Sequence, residues 1–306
     1  MNIWFIGTGI FASLCLEGLT KRGVIFNRII TGLPTRSGRN GKENPSPVEL
    51  KAQSLGLTVT RTGKLNENHE LIHELEANPP DVIFVIDFGQ LIREPFLSQM
   101  CLNIHPSLLP DLRGAAPIQR ALMNGYTRTG VTLFRLVKAM DAGDILAQRE
   151  IAISPDDDAE DLYVRLSDLG SELAHESLNR INGLTLIHQD ESLATYAPKI
   201  EKSEHEVSFD MTAGRIINTV RALAMSGGAY IIIRKKRVKL WRVSLRDDMK
   251  DSECGRVLSL EDALVISCAD SAIEIHELQS EGKNIMFGIE WARGMRIKKG
   301  DILQYE

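Results

Sequence analysis

Four cysteines in 306 residues, with no Cys-x-x-Cys pair and no histidine at ligand spacing from any of them, exclude a zinc cluster and a disulfide framework. Cys15, Cys101, Cys254 and Cys268 are expected as reduced, mostly buried thiols. No apolar run approaches the roughly 20 residues that span a bilayer. The N-terminal stretch MNIWFIGTGIF lacks a basic leader and a small-residue cleavage site, so it reads as a first strand rather than a signal. A soluble, cytoplasmic chain is therefore expected, and a monomer. A formal charge of -5 excludes a protein that coats nucleic acid along its whole surface, although local basic patches can still bind one.

Short β-rich runs (Ile3–Ile6, Ile29–Thr31, Leu57–Thr60, Val82–Ile86, Leu102–Ile104, Val131–Leu136) alternate with helical patterns at Phe11–Lys21, Pro47–Leu55, Glu67–Glu76 and Pro117–Met123. That order predicts right-handed βαβ units and an α/β domain with a mostly parallel sheet over residues 1–188. A long helix is expected from Ala159 to about Asn182, and the polar stretch 189–206 reads as a linker. From residue 207 the texture changes. One helix, Ala213–Leu223, precedes short strands at Ala229–Ile233, Arg237–Val243, Arg256–Leu260, Ala263–Cys268 and Ile273–Leu278, whose natural closure is a small β-barrel.

Gly7-Thr8-Gly9-Ile10-Phe11-Ala12 lies where a dinucleotide-binding fingerprint belongs. The second strand, however, ends Ile29-Ile30-Thr31-Gly32 without the acidic residue that holds a ribose hydroxyl. The glycines then serve a tight turn and close helix packing.

The strongest chemical signal is Asn103-Ile104-His105-Pro106-Ser107-Leu108-Leu109-Pro110, followed by Arg113-Gly114 and by Asp141 in Met140-Asp141-Ala142-Gly143-Asp144. Residues two apart on a strand share a face, so Asn103 and His105 project together from the carboxyl end of the sheet, where open α/β folds bind ligands. Gly143 between two carboxylates marks a turn able to bring Asp141 to the imidazole.

The run NIHPSLLPDLRGAAPIQ with the downstream MDAGD resembles the folate-dependent formyltransferase family, and TYAPKI, LQSEGKNIM and KKGDIL are similar to its C-terminal domain. The resemblance implies a Rossmann-like domain joined to an OB-like barrel at 207–306, and one-carbon transfer from 10-formyltetrahydrofolate without a metal. It places Asn103, His105 and Asp141 on the catalytic trio. Ser107, Leu108, Leu109 and Pro110 fall on the folate-binding loop, and Val137, Lys138, Ala139 and Met140 on the loop that closes over the pterin. Phe88, Gly89 and Gln90 border the pterin pocket, where Ile86-Asp87-Phe88-Gly89 departs from the family's usual Ala-Tyr-Gly. A second departure is Ala224-Met225-Ser226-Gly227, in place of an Asn-Pro-Trp-Pro turn.

The trio fixes the reaction and the donor but leaves the acceptor open. Residues 211–245 carry eight Arg and Lys with no Asp or Glu, among them Arg234, Lys235, Lys236 and Arg237, which suggests phosphate contact. Arg36, Arg39 and Lys42 sit in a glycine-containing loop able to reach an RNA stem. Ala115 matches the tRNA-directed branch, whereas sugar-modifying relatives usually carry a second Arg there. Initiator methionyl-tRNA is the acceptor expected, with a UDP- or dTDP-linked amino sugar as the alternative. A catalytically silent RNA-binding protein is the third reading.

Overall fold

The computed structural model describes residues 1–37, 42–180, 183 and 185–303. They form two compact units. The first comprises Met1–Pro117, Arg128–Ala152 and Tyr163–Ala197, and the second comprises Ile118–Thr127, Ile153–Leu162 and the chain from Pro198 onward. Residues 189–197 thus belong to the first unit instead of a free-standing connection.

In chain order the elements up to the second unit's sheet are β1 (Ile3–Gly7), α1 (Ile10–Lys21), β2 (Arg28–Gly32), β3 (Thr35–Ser37), β4 (Lys42–Asn44), α2 (Pro47–Ser54), β5 (Thr60–Thr62), α3 (His69–Ala77), β6 (Val82–Ile86), β7 (Cys101–His105), α4 (Pro117–Met123), β8 (Arg128–Arg135), β9 (Ile145–Ala152) and α5 (Ala159–Leu178). A seven-stranded sheet runs β5-β2-β1-β6-β7-β8-β9. Its pairs are parallel from β5 to β7, and β7–β8 and β8–β9 are antiparallel. The central strands β1 and β6 are buried along their whole length, as IWFIG and VIFVI require when both faces of a sheet are covered. The mostly parallel α/β expectation holds. Strand β9 was not anticipated, because ILAQREIA is buried only at Ile145 and Leu146 and then alternates toward solvent.

The expected loop over Arg36, Arg39 and Lys42 is a short antiparallel ribbon, with Arg36 opposite Glu43 and Ser37 opposite Lys42. Arg39 lies outside the described residues.

The second unit carries α6 (Ala213–Ala222), β10 (Ala229–Ile233), β11 (Lys236–Arg246), β12 (Val257–Ser259), β13 (Leu264–Ser267), β14 (Ala272–Ser280), β15 (Met286–Phe287) and α7 (Gly288–Gly294). Its antiparallel sheet follows β10-β11-β14-β13-β12, with β15 added on β14. Bulges between Leu240 and Val243 bend β11, giving the curvature that a barrel-like sheet needs. Phe209, Ile216, Leu240, Ile266, Ile275 and Trp291 fill one continuous core beneath it. Thr212 caps α6 by accepting from the Arg215 N–H, which explains why that helix starts where it does.

Candidate active site

Asn103 and His105 stand on the same face of β7, opposite Phe134 and Thr132 of β8. Thr132 is the hub that shapes the loop leaving β7. Its hydroxyl donates to the Ser107 carbonyl (2.7 Å) and accepts from the Leu109 N–H (3.0 Å) and the Gln148 amide (2.9 Å). Gln148 also donates to the Leu109 carbonyl (2.8 Å), so the loop is fixed from β8 and β9 together.

His105 is 5% exposed, edge-on to the Phe134 ring at 6.4 Å. Its Nε2 lies 2.9 Å from the carbonyl oxygen of Leu112. A carbonyl only accepts, so Nε2 carries the proton, and the neutral ring presents a bare lone pair at Nδ1. Asp141 Oδ2 is 3.9 Å from Nδ1, too long for a hydrogen bond but close enough to stabilise a positive ring. Asn103, half-buried, has no hydrogen-bond partner for its side chain among the described residues.

Asp141 adopts a left-handed backbone, φ 50°, and its Oδ2 accepts from the Gly114 N–H at 2.8 Å. Gly114 is itself left-handed at φ 124°, and a Cβ there would sit 2.7 Å from the Ala197 carbonyl oxygen, so glycine is required. Segment 195–197 runs along the 110–116 loop. Arg113 N donates to Thr195 O, Ala197 N to Arg113 O, and Leu112 N to the Thr195 hydroxyl. These bonds hold the Leu112 carbonyl where it meets the histidine.

Residues 1–178 match the family model described as Formyl transferase, and residues 199–296 match that described as Formyl transferase, C-terminal domain. The chain belongs to the formyl transferase family. It is 36% identical over 310 residues to a protein named Methionyl-tRNA formyltransferase from Caldicellulosiruptor saccharolyticus, covering 99% of this chain and 100% of the relative. A protein of the same name from Thermotoga neapolitana is 36% identical over 306 residues, covering 98% and 97%. Among solved structures, HypX from Aquifex aeolicus in complex with tetrahydrofolic acid aligns with a TM-score of 0.67 at 19% identity, over 100% of this chain and 50% of that one. WlaRD, a sugar 3N-formyl transferase, aligns at 0.65 and 20% over 93% of this chain and 99% of its own. Those two likenesses establish a shared fold.

Of the three residues expected to be catalytic, Asn103 and His105 share one face of β7, and Asp141 comes within 3.9 Å of His105. The remaining residues of the expected site are distributed differently. Ser107 is 1% exposed and its hydroxyl donates to the Asp111 carbonyl, while Leu109 packs against Phe134 and Ile145, so this pair builds the loop from within. Leu108 and Pro110 are half-buried. Val137, Lys138, Ala139 and Met140 are exposed, Met140 at 63%. Phe88 packs partly on the core, Gly89 is exposed, and the Gln90 side chain is committed to Gly63 O and Leu65 N.

In the second unit Ile233 and Lys236 pair across a two-residue turn made of Arg234 (φ 50°) and Lys235 (φ 62°). Lys236 and Arg237 are exposed, and the Arg237 guanidinium lies over the Tyr230 ring at 4.8 Å. Among the described residues no cluster of three His, Cys, Asp or Glu side chains is placed to hold a metal, and no helix is long and apolar enough to cross a membrane.

The fingerprint glycines have an internal use. Gly9, the N-cap of α1, supplies no side-chain cap, and a Cβ on it would lie 1.8 Å from Asp87 Oδ2. The Asp87 carboxylate instead covers the first turn of α1, facing the N–H groups of Phe11 and Ala12. The Asp87 carbonyl accepts from Thr8 N and Gly9 N, both at 3.1 Å. One side of Asp87 is open to solvent, yet the surrounding protein mass outweighs the helix amides and pushes its carboxyl pKa up. The helix end that would receive a pyrophosphate in a dinucleotide fold carries the chain's own carboxylate.

The sequence pointed to the trio but not to its supports. Gln189, Thr195, Gln148 and the Leu112 carbonyl lie in stretches without periodicity, and only the fold brings them to the site.

Proposed function

We propose that this chain transfers the formyl group of 10-formyltetrahydrofolate to the free amino group of methionine on initiator methionyl-tRNA, in the cytoplasm and as a monomer. The observation that carries the reaction is one face of β7: a half-buried amide with no internal partner beside an imidazole whose tautomer is fixed. The acceptor is supported by relatives of that name along the full chain, and by the cations of the β10–β11 turn and the β3–β4 ribbon. Val137 and Met140 offer exposed apolar side chains to close over a flat, partly apolar ring, and we assign the 137–140 loop, with Phe88 and the 107–110 loop, to the folate.

The transfer joins the amine nitrogen to the formyl carbon and breaks the bond from that carbon to the folate nitrogen. Charge grows on the formyl oxygen as the amine adds, and the Asn103 amide donates to it. The neutral His105 ring cannot share that task, because its single N–H is spent on Leu112. The work therefore divides: Asn103 holds the oxygen, and Nδ1 of His105 takes the proton that the amine loses. Asp141 stabilises the imidazolium so formed. Nδ1–H then returns the proton to the departing folate nitrogen, which leaves neutral. Protons balance, and the enzyme ends as it began.

The test is transfer of radiolabelled formyl from 10-formyltetrahydrofolate, with charged initiator tRNA and a UDP-amino sugar at equal concentrations and His105→Ala as control. Labelled tRNA that disappears with the variant supports the proposal. Label on the sugar alone, or full turnover by His105→Ala, refutes it.

A further inference from the structure

Asp141 is held in place by more than its own contacts. Its carboxylate accepts one backbone N–H, from Gly114, while its main chain sits in the left-handed region, where a non-glycine residue stays only if its surroundings fix it. The fixing comes from Gln189. One side-chain amide nitrogen donates to both the Asp141 carbonyl (2.8 Å) and the Gly143 carbonyl (2.7 Å), clasping the two ends of the turn. The other end of the Gln189 amide accepts from Arg113 Nε (3.1 Å) and Nη2 (2.7 Å).

Arg113 is 2% exposed, and the carboxylate of Glu191 grips it bidentately at 2.8 Å and 2.8 Å. Arg113 is also the residue before Gly114, whose N–H meets the Asp141 carboxylate. The bonds therefore close a ring: Asp141 carboxylate, Gly114 amide, Arg113 main chain and guanidinium, Gln189, Asp141 carbonyl. Carboxylate and backbone of Asp141 are tied to the same buried arginine, and a planar guanidinium with its donors committed gives that ring little freedom.

We propose that Gln189 is a positioning residue for the transfer reaction, clamping the 141–143 turn so that the Asp141 carboxylate stays beside Nδ1 of His105. The inference rests on Asn103, His105 and Asp141 being the site of transfer. Gln189 touches none of the reacting atoms; it acts through Asp141. Displacing a charged group by about 1 Å typically costs up to about 10²-fold in rate.

The experiment measures kcat and both KM values on the full chain for Gln189→Glu, Gln189→Asn, Asp141→Asn and the double variant Gln189→Glu/Asp141→Asn, with thermal midpoints alongside. Gln189→Glu keeps the acceptor for Arg113 but sets one carboxylate oxygen against the Asp141 and Gly143 carbonyls, and Gln189→Asn keeps the chemistry but is one methylene short. Expected are a kcat lower by about 10–10²-fold in each, KM for folate and tRNA within about twofold, and midpoints within a few degrees. In the Asp141→Asn background Gln189→Glu should cost nothing more, because residues acting through one group are not additive. Independent, multiplying losses overturn the inference, as does wild-type kcat in both Gln189 variants or loss of the folded state in both. Wild-type turnover in Asp141→Asn refutes instead the reading of the site on which the inference rests.

Discussion

The carboxylate of Asp87 can be removed in three ways that separate what it contributes. Asp87→Asn keeps a side chain able to cover the start of α1 and to tolerate φ 44°, and it deletes only the charge. Asp87→Gly accepts the left-handed backbone freely but leaves the Phe11 and Ala12 N–H groups to water, a loss of about 1 kcal/mol for a missing cap. Asp87→Ala loses the cap and also lacks the short polar side chain whose local hydrogen bonds offset a left-handed backbone, adding about 1 kcal/mol more. The order of stability is therefore Asn at least equal to wild type, then Gly, then Ala.

At about 2–4 °C per kcal/mol for a unit of this size, Asp87→Ala lowers the first unit's calorimetric midpoint by about 4–8 °C. The pH dependence has a definite sign. The folded carboxyl pKa is raised, so the folded state holds its proton more tightly than the unfolded chain. Asp87 then loses stability as pH rises from the ordinary carboxylate range through its folded value. Asp87→Asn has no such loss, so its advantage is largest at neutral pH and closes in acid. Gly9→Ala drives a Cβ into the carboxylate, and its cost should fall sharply in the Asp87→Gly background. Asp87→Ala as stable as wild type, or a Gly9→Ala cost unchanged by Asp87→Gly, refutes the cap.

Other consequences are open to measurement. If Asn103 is the oxyanion donor we propose, Asn103→Ala should lower kcat by about 10²–10³-fold with the thermal midpoint unchanged, because its side chain holds no other group among the described residues; single-turnover formylation reads this directly. Glu204, held at about 2 by the Arg120 guanidinium, keeps its contribution above the ordinary carboxylate range and loses it as pH falls toward 2. Arg120→Gln should accordingly destabilise the second unit by about 1–2 kcal/mol at pH 7 and by little near pH 2, in urea titrations at each pH. Lys235→Glu with Lys236→Glu should raise KM for tRNA about tenfold, leave kcat and the folate KM alone, and flatten the salt dependence of tRNA binding by about one unit of slope per lost phosphate contact. Gly114→Ala should abolish soluble expression or activity, because its Cβ meets the Ala197 carbonyl.

What could be read from the sequence follows from how local each cause is. Alternation of β-branched runs with amphipathic helices is a short-range pattern, and it located β1, β2, β6, β7 and β10 to β14, while the two-residue β15 is too short to carry such a pattern. Strand β9 escaped because only Ile145 and Leu146 of its eight residues are buried. Asn103 and His105 share a face by strand parity alone, so their pairing was legible. Their tautomer was not, since it depends on a carbonyl seven residues on that is held by Thr195. The stretch 189–197 looked like a connection because polar residues without a period carry no signal of what they bond, yet its Gln189 and Thr195 fasten both halves of the site. At Asp87 the sequence left two readings, altered folate contacts or a strand-end side chain accepting backbone hydrogen bonds, and its place over Gly9 and the Phe11 and Ala12 N–H groups favours the second.

Strain points to the same places as chemistry. The non-glycine residues with positive φ among those described are Asp87, Leu112, Asp141, Arg234, Lys235 and Arg296. Each such residue costs of order 1–3 kcal/mol unless its surroundings require it. In the first unit the surroundings do: Asp87 accepts from Thr8 and Gly9, Leu112 is fixed between Thr195 and His105, and Asp141 between Gly114 and Gln189. All three serve the helix start or the trio. In the second unit all three are cations, and a two-residue turn with positive φ at both positions favours Asn-Gly, not Arg-Lys. Arg234 gains one long bond to the Met295 carbonyl, 3.2 Å, and among the described residues no bond explains Lys235. Folding alone selects against that pair. Replacing Arg234-Lys235 by Asn-Gly should therefore stabilise the second unit while weakening tRNA binding. A turn that gained stability with no change in KM for tRNA would show that its charges serve nothing at that site.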